Sequence, residues 1–282
     1  MRTLPAIVCA LVCLGATPAS RPSLDEKCRS LLDKWRDRLD AAHMTAIVSP
    51  PFVVAGDGGA ERVNRYLHNT ILAAADALHR KFFDRQPTEP ILILLFESDE
   101  PYRHAAKKWF GDEDVSRYGY FRQRDNVMLM NVSTGTGTLV HELVHALIKP
   151  DFADVPSWLN EGLGSLFEQC TLADNDIRGL ENWRLPALQR AIRQNKLRPL
   201  SEMIADDDFY NAERTGMNYA QARYLLMYLQ EKGKLRDFYR HFLDDHDDDS
   251  TGLKHLEEIT APQSLEQFEK DWRAWVLTLR FN

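Results

Sequence analysis

Two histidines and two glutamates occur at a spacing that suits metal-dependent chemistry. His141, Glu142 and His145 form an H-E-x-x-H pattern in the apolar run 138–149, and Glu161 follows within the letters W-L-N-E-G. Residues four apart on an α-helix lie one above the other, with about 5 to 6 Å between their Cβ atoms, so both imidazoles can reach one ion. A carboxylate from a neighbouring element would complete the set of protein ligands. The pattern therefore predicts a zinc site and the chemistry of a hydrolase.

Glu142 lies one step around the predicted helix from the histidines, beside the metal rather than on it. Three protein ligands leave one position of a tetrahedral zinc open for water, and zinc lowers the pKa of that water toward about 7. From its position Glu142 can accept a proton from the water and later pass it to a leaving amine. The alternative is a buried helix whose histidines bond to backbone carbonyls, since unpartnered imidazoles and carboxylates cost several kcal/mol to bury.

A second helix is predicted from Pro156 to Gln169, after the short connection 150–156. A short link lets the second helix pack across the first and present Glu161 to the metal. Glu168 follows two turns later on the same face, where it can hydrogen-bond a ligating histidine. A solvated helix glutamate explains Glu168 about equally well.

These two segments carry a resemblance to a known group of enzymes. H-E-L-V-H followed by W-L-N-E-G resembles the gluzincin metallopeptidases, and W-L-N-E-G is particularly similar to the aminopeptidase N family. The whole arrangement is most similar to the bacterial peptidase-MA-like proteins. The resemblance covers residues 138–168, and it implies that His141, His145 and Glu161 are zinc ligands and that Glu142 is the general base.

Two departures from the family pattern bear on specificity and on the orientation of the ligands. The upstream G-x-M-E-N segment, whose glutamate captures a free amine in aminopeptidase N relatives, is missing, and the stretch Val127 to Val132 offers no carboxylate in its place. An endopeptidase is therefore favoured over an aminopeptidase. Thermolysin relatives have an aspartate where this chain has Ser165, so another group must orient the histidines.

A tetrahedral intermediate also needs a donor for its developing oxyanion. Tyr219 is the candidate, because the predicted helix 218–232 resembles the tyrosine-bearing helix of gluzincins at a similar distance downstream. Arg223 would share the face of Tyr219, one turn further on. The alternative is that Tyr219 is an aromatic residue of the core.

The remaining pattern predicts an α+β fold. Helices are expected at 24–44, 60–83 and 100–110, and strands at 45–54 (interrupted by two prolines), 90–97, 118–122 and 126–132. From residue 138 the chain reads almost wholly helical, with helices at 138–149, 156–170, 181–195, 218–232, 234–243 and 264–279 and no strand of comparable strength. We expect a zincin-like arrangement, with a mixed α/β N-terminal lobe (20–137), a helical C-terminal lobe (138–282) and the metal site in the cleft between them. By the same resemblance, an edge strand beside the metal helix is expected to receive the substrate as an added strand.

Composition limits the cellular setting and the partners. The net charge is −7 with no long basic run, so nucleic acid is not expected as a partner. Residues 1–19 are typical of a secretory signal peptide, which predicts a secreted or periplasmic protein without a membrane span in its mature form. Cys28 and Cys170 remain after cleavage, and the sequence leaves open whether they pair. It also leaves the oligomeric state unknown.

Together these observations predict a zinc-dependent peptidase that cuts peptide or protein substrates with a metal-activated water. Two alternatives remain: a non-catalytic, zinc-containing peptide-binding protein, and a zinc hydrolase that acts on a non-peptide substrate. A structural domain without metal is a third reading.

Overall fold

A five-stranded mixed sheet forms the centre of the N-terminal half. The computed structural model describes residues 21–173 and 176–281. The strands are β1 (Thr45–Ser49), β2 (Phe52–Gly56), β3 (Ile91–Phe96), β4 (Gly119–Arg122) and β5 (Val127–Asn131), in the spatial order β1-β2-β3-β5-β4. The central pairs β2–β3 and β3–β5 are parallel, whereas the outer pairs β1–β2 and β4–β5 are antiparallel. Strand β4 is therefore one edge of the sheet.

Both faces of the sheet are covered, because side chains alternate between two buried clusters. On β3, Leu92 and Leu94 face one cluster, which includes Trp35 and Tyr102 of the helices on that side. Residues 91, 93 and 95 face the larger cluster, which continues into the C-terminal helices. A strand that is covered on both faces has an unbroken run of apolar residues. The position of β3 can therefore be predicted from the sequence. The larger core passes without interruption across residue 137.

The N-terminal helices pack on these two faces of the sheet. They are α1 (Leu24–Ala41), α2 (Ala60–Tyr66), α3 (Ala73–Lys81) and α4 (Asp99–Ala105). Ser23 begins α1 with a capping box, in which its hydroxyl accepts from the Glu26 N–H and the Glu26 carboxylate accepts from the Ser23 N–H. A π-helical segment, Leu67–Leu72, joins α2 to α3, and a second, Ala106–Phe110, follows α4. The predicted single helix 60–83 is thus continuous but contains a widened turn.

The C-terminal half is mostly helical. Its helices are α5 (Gly137–Ile148), α6 (Ser157–Phe167), α7 (Leu185–Arg193), α8 (Leu200–Ile204), α9 (Thr215–Glu231), α10 (Leu235–Asp245), α11 (Leu253–Thr260) and α12 (Leu265–Thr278). Helix α5 packs against β4, β5 and α3 on one side and against α6 on the other, and α6 lies along α9. This places α5 and α6 between the sheet and the C-terminal helices.

The expectation that residues after 138 contain no strand is wrong. A hairpin of β6 (Cys170–Ala173) and β7 (Asp176–Gly179) follows α6, so the predicted helix 156–170 ends at Phe167. The side-chain amide of Gln230 accepts from the Gly179 N–H and donates to the Gly179 carbonyl at 2.8 and 3.0 Å. This hairpin is held by contacts distant in sequence, which local patterns do not reveal.

The structure confirms an α+β fold with a mixed sheet and a helical C-terminal region. In the part of the chain that is described, no helix is long and apolar enough to cross a membrane. Cys28 and Cys170 are both free thiols. The predicted signal segment lies outside the described residues.

Candidate metal centre

His141, His145 and Glu161 converge in the interior, where α5 meets α6. Their ligand atoms all lie within 4.8 Å of one another, and the three residues are 9%, 8% and 7% exposed. The two imidazoles come from successive turns of α5, and the carboxylate comes from the first half of α6. The group could hold a metal ion. The sequence-predicted ligand set is therefore brought together by the fold.

The separations can be tested against the size of a zinc ion. Nε2 of His141 lies 3.2 Å from Oε2 of Glu161, and Nε2 of His145 lies 3.5 Å from the same oxygen. Ligands at the usual Zn–N and Zn–O distances, placed at the corners of a tetrahedron, are roughly 3.3 to 3.5 Å apart. The two separations from the Glu161 oxygen thus match those of a tetrahedral metal site, and the three donor atoms lie within 4.8 Å of one another. The donor set of two imidazoles and a carboxylate also suits zinc.

Asn160 fixes the orientation of one ligand. Nδ1 of His145 donates to Oδ1 of Asn160 at 2.8 Å. This hydrogen bond keeps the proton on Nδ1, so the lone pair of a neutral His145 lies on Nε2, which faces Glu161. Asn160 directly precedes Glu161 on α6, so one helix supplies a ligand and also orients another. Asn160 thus provides an orienting hydrogen bond for His145, in a chain that has Ser165 where thermolysin relatives have an aspartate.

Gly164 lets His141 lie flat against α6. A Cβ built on Gly164 would come within 3.0 to 3.1 Å of three atoms of the His141 ring. A side chain at this position would therefore push the imidazole away from Glu161. Next to it, Ser165 is fully buried, and its hydroxyl has no hydrogen-bond partner among the described residues.

Glu142 stands beside the three ligands and faces the edge of the sheet. It is half-buried, and its carboxylate accepts a hydrogen bond from the main-chain N–H of Phe121 in β4. Burial raises the pKa of Glu142, and the charge of Glu161 adds to the increase, while His141 and His145 oppose it. A carboxylate with a raised pKa is a better proton acceptor near neutral pH.

The pKa values of His145 and Glu161 are shifted in opposite directions. Burial opposes the charge on His145, but the hydrogen bond and charge of Glu161 outweigh it and raise the pKa of His145 to about 9. Burial likewise opposes the charge on Glu161, yet the two histidines hold the pKa of this carboxyl far below its usual range. Without a metal, a proton on His145 balances the Glu161 charge. A bound cation would take over that role.

Two tyrosine hydroxyls also reach Glu161. Tyr219, from the first turns of α9, hydrogen-bonds Glu161, and its ring stacks near His141 with 6.5 Å between ring centroids. Tyr210 donates to Oε1 of Glu161 at 2.7 Å from the loop before α9. Burial, followed by the charge of Glu161, raises the pKa of both phenols. The sequence pattern points to Tyr219 but not to Tyr210, which belongs to no motif and follows an acidic loop.

The structure gives Glu168 a different partner from the predicted histidine, and it places Arg223, predicted only to share a helix face with Tyr219, in the interior. Glu168 forms an ion pair with Arg184 instead of the predicted hydrogen bond with a ligating histidine. It lies two turns beyond Glu161, too far along α6 to reach the imidazoles, because two turns advance about 11 Å. Arg223 is fully buried and donates to the carbonyls of Ser165 and Leu180, and burial lowers its pKa to about 10. Its bond to Ser165 ties α9 to α6.

The profile of a protein family of unknown function, DUF1570, matches residues 131–247. That segment is less than half of the chain, but it contains all three ligands, Glu142 and both tyrosines. No curated protein matches the chain. The chain is thus similar, through its metal centre, to a family whose function is not described.

Proposed function

We propose that this protein is a zinc-dependent peptidase of the gluzincin type. The observation that carries the proposal is the convergence of His141, His145 and Glu161 at zinc-like separations, with Glu142 beside them. A site that serves structure alone has no need of an additional carboxylate with a raised pKa. The resemblance of H-E-L-V-H and W-L-N-E-G to gluzincins supports the same reading.

His141, His145 and Glu161 would hold the zinc. When bound, zinc supplies a Lewis acid that polarises a carbonyl group and makes a water molecule more acidic. Glu142 holds the proton that the water gives up and delivers it to the leaving amine. The Phe121 N–H keeps the Glu142 carboxylate turned toward the sheet edge. The charge of this carboxylate is therefore available where a substrate on that edge would pass.

Strand β4 supports a peptide as the substrate. It is an edge strand, paired only with β5 among the described residues, so one row of its main-chain groups is free of strand pairing. An extended peptide can add to such an edge through main-chain hydrogen bonds. Because the Phe121 N–H already contacts Glu142, a peptide on β4 would pass directly beside the general base. This binding mode favours internal positions of a chain, as expected for an endopeptidase.

Tyr219 is proposed as the donor that stabilises the oxyanion. Its hydroxyl lies at Glu161 and its ring near His141, so it is close to the three proposed ligands. Its raised pKa keeps the phenol protonated at neutral pH, as a donor must be.

Hydrolysis of a mixed peptide library by wild type and Glu142→Gln tests the proposal. The amide cannot accept the proton, so we expect turnover to fall by about 10² to 10⁴-fold, the usual contribution of a general base. Zinc content measured by elemental analysis should stay the same. Glu202→Gln, at an exposed carboxylate on α8, is the matched control and should cleave like wild type. Cleavage by Glu142→Gln at the wild-type rate would contradict the role of this residue.

We also propose that the enzyme acts outside the cytoplasm. The support is the sequence of residues 1–19, which has the charge, the apolar stretch and the small residues of a secretory signal. N-terminal sequencing of the exported protein would show whether cleavage follows Ala19.

A further inference from the structure

A cavity of about 510 Å³ lies at the N-terminal end of the metal helix. Its walls come from the π-helical turn before α3, the residue before β4, the start of α5, the end of α6 with the start of β6, and residues 182–183. Pockets of roughly 300 to 1,000 Å³ enclose a whole small molecule. This cavity is therefore larger than a single amino-acid side chain requires.

The polar groups that line the cavity are mainly neutral hydroxyls and amides. They include Asn69 and Thr70 from the π-helical turn, Thr136 and Thr138 from the start of α5, and Asn182. Asn182 is 2% exposed, and its side-chain nitrogen has no hydrogen-bond partner in the described part of the chain. Buried donors are normally satisfied, so this nitrogen lies beneath the cavity wall with its hydrogen-bonding capacity unused. A π-helical turn is also frequent at functional sites.

Charge does not dominate the cavity. Glu168 lies in its wall, but Arg184 forms an ion pair with that carboxylate. A ligand with a net charge would therefore find no unpaired opposite charge among these side chains. A purely apolar ligand would instead leave the hydroxyls and amides without partners, which is costly. The lining consequently favours a ligand that is neutral and rich in hydrogen-bonding groups.

Two of the residues that line the cavity are exposed aromatics. Tyr118 and Trp183 are 44% and 61% exposed, and both belong to the lining. The Arg184 guanidinium lies over the Trp183 ring at 4.1 Å from its centroid. Large aromatic residues left open to solvent commonly mark recognition surfaces, because their faces are apolar. Tyr210, at the metal ligands, is similarly exposed.

The cavity lies next to the metal centre along α5. Thr138 lies one turn before Glu142 on α5, and Arg184 packs over the Tyr219 ring at 5.6 Å from its centroid. On β4, Phe121 contacts Glu142, and Tyr118 lies three residues away, which is about 10 Å along a strand. A peptide bound along β4 would therefore carry a group two or three residues from the scissile bond into the cavity.

We propose that this cavity binds a neutral carbohydrate carried by the substrate, so that the substrates are glycosylated peptides. The inference rests on the proposed peptidase function. A sugar ring presents apolar C–H faces to an aromatic ring, and its hydroxyl and acetamido groups both donate and accept hydrogen bonds. These are the two properties that Trp183, Tyr118 and the threonine and asparagine side chains offer together. The cavity volume accommodates one or two such rings.

Binding of free saccharides tests the inference without relying on catalysis. The probes are N,N′-diacetylchitobiose, lactose, maltotriose and mannobiose, observed by saturation-transfer NMR with wild type and with Glu142→Gln. We expect at least one of them to bind both proteins equally. Trp183→Ala should weaken that binding by about tenfold or more, as the loss of a stacking platform does. Phe281→Ala, at an exposed aromatic outside the cavity, is the matched control and should bind like wild type.

The possible outcomes separate the two proposals. If none of the four saccharides binds, or if Trp183→Ala and Tyr118→Ala both bind like wild type, the carbohydrate site is refuted. If N-acetylphenylalaninamide binds in a Trp183-dependent way and the saccharides do not, the cavity receives an aromatic side chain and the inference is overturned. Binding of saccharides by a protein that hydrolyses no peptide would refute the peptidase and leave the carbohydrate site standing. Preferential cleavage of a glycosylated peptide over its unmodified form, lost in Trp183→Ala, would support both.

Discussion

Two carboxylates are buried to nearly the same degree, Asp151 at 5% and Glu161 at 7% exposed, yet their surroundings differ. Asp151 accepts from the main-chain N–H groups of Asp84 and Arg85 at 3.0 and 2.9 Å and from the Tyr239 hydroxyl at 3.0 Å. All three donors are neutral, and two of them belong to the backbone. Asp151 thereby ties the end of α5 to the segment after α3.

The partners of Glu161 are side chains, and two of them can lose a proton. His141 and His145 lie on one oxygen, and the hydroxyl of Tyr210 on the other. A backbone N–H cannot give up its proton to ligate a cation. An imidazole can release its proton and then bind a metal cation. The comparison teaches that the chemistry of its neighbours, more than burial, separates a structural carboxylate from a ligand.

The largest expected difference concerns the stability of the metal-free proteins. Asp151→Ala leaves two backbone N–H groups and a hydroxyl without a partner, so its free energy of unfolding should fall by about 3 kcal/mol or more. Glu161→Ala also leaves the Tyr210 and Tyr219 hydroxyls without their acceptor, but both residues are partly exposed and can bond to water. Because His145 can also become neutral at pH 8, this change should cost less, about 1 to 2 kcal/mol. Urea unfolding of chelator-treated proteins measures both values. Greater destabilisation by Glu161→Ala than by Asp151→Ala would contradict the distinction.

The tyrosines around the two carboxylates should also differ in effect. Tyr219→Phe should lower kcat by about 100-fold, as removal of one oxyanion donor does, with zinc retained. Tyr239→Phe should leave kcat unchanged and reduce the free energy of unfolding by about 1 kcal/mol. Peptide hydrolysis and urea unfolding of the same two variants provide the test. If Tyr210→Phe, rather than Tyr219→Phe, reduces kcat, the donor has been misassigned between two hydroxyls at the same ligand.

A smaller effect is expected from the group that orients His145. Asn160→Ala removes the acceptor for Nδ1 without touching a ligand, so zinc affinity should fall by about tenfold or more. Asn160→Asp keeps an acceptor at that position and should retain most of the affinity. Competition with a chromophoric chelator measures both. Equal zinc affinity in wild type and Asn160→Ala would mean that packing alone, including Gly164, orients the ring.

Local geometry explains which features the sequence reveals. The proximity of His141 and His145 is predictable because a four-residue spacing places two side chains next to each other on any helix. The strand that contains Leu92 to Leu95 is predictable because a strand covered on both faces must be apolar throughout. Asn160, Tyr210 and the Glu168–Arg184 pair depend on which distant segments meet. The sequence does not predict the hairpin of β6 and β7, because its strands have only four residues each and half of those residues are exposed. Such short strands leave too weak a pattern of apolar residues. Gln230 on α9 and Lys81 on α3 hold the hairpin through hydrogen bonds from distant parts of the chain.

The most direct test of the metal centre is the zinc content of purified protein, measured by elemental analysis in wild type, His145→Ala and His104→Ala. His104 is an exposed histidine on α4 and serves as the matched control. The account predicts one zinc per chain in wild type and in His104→Ala, and essentially none in His145→Ala. Absence of zinc from the wild type after zinc supplementation, or full zinc content in His145→Ala, would contradict it.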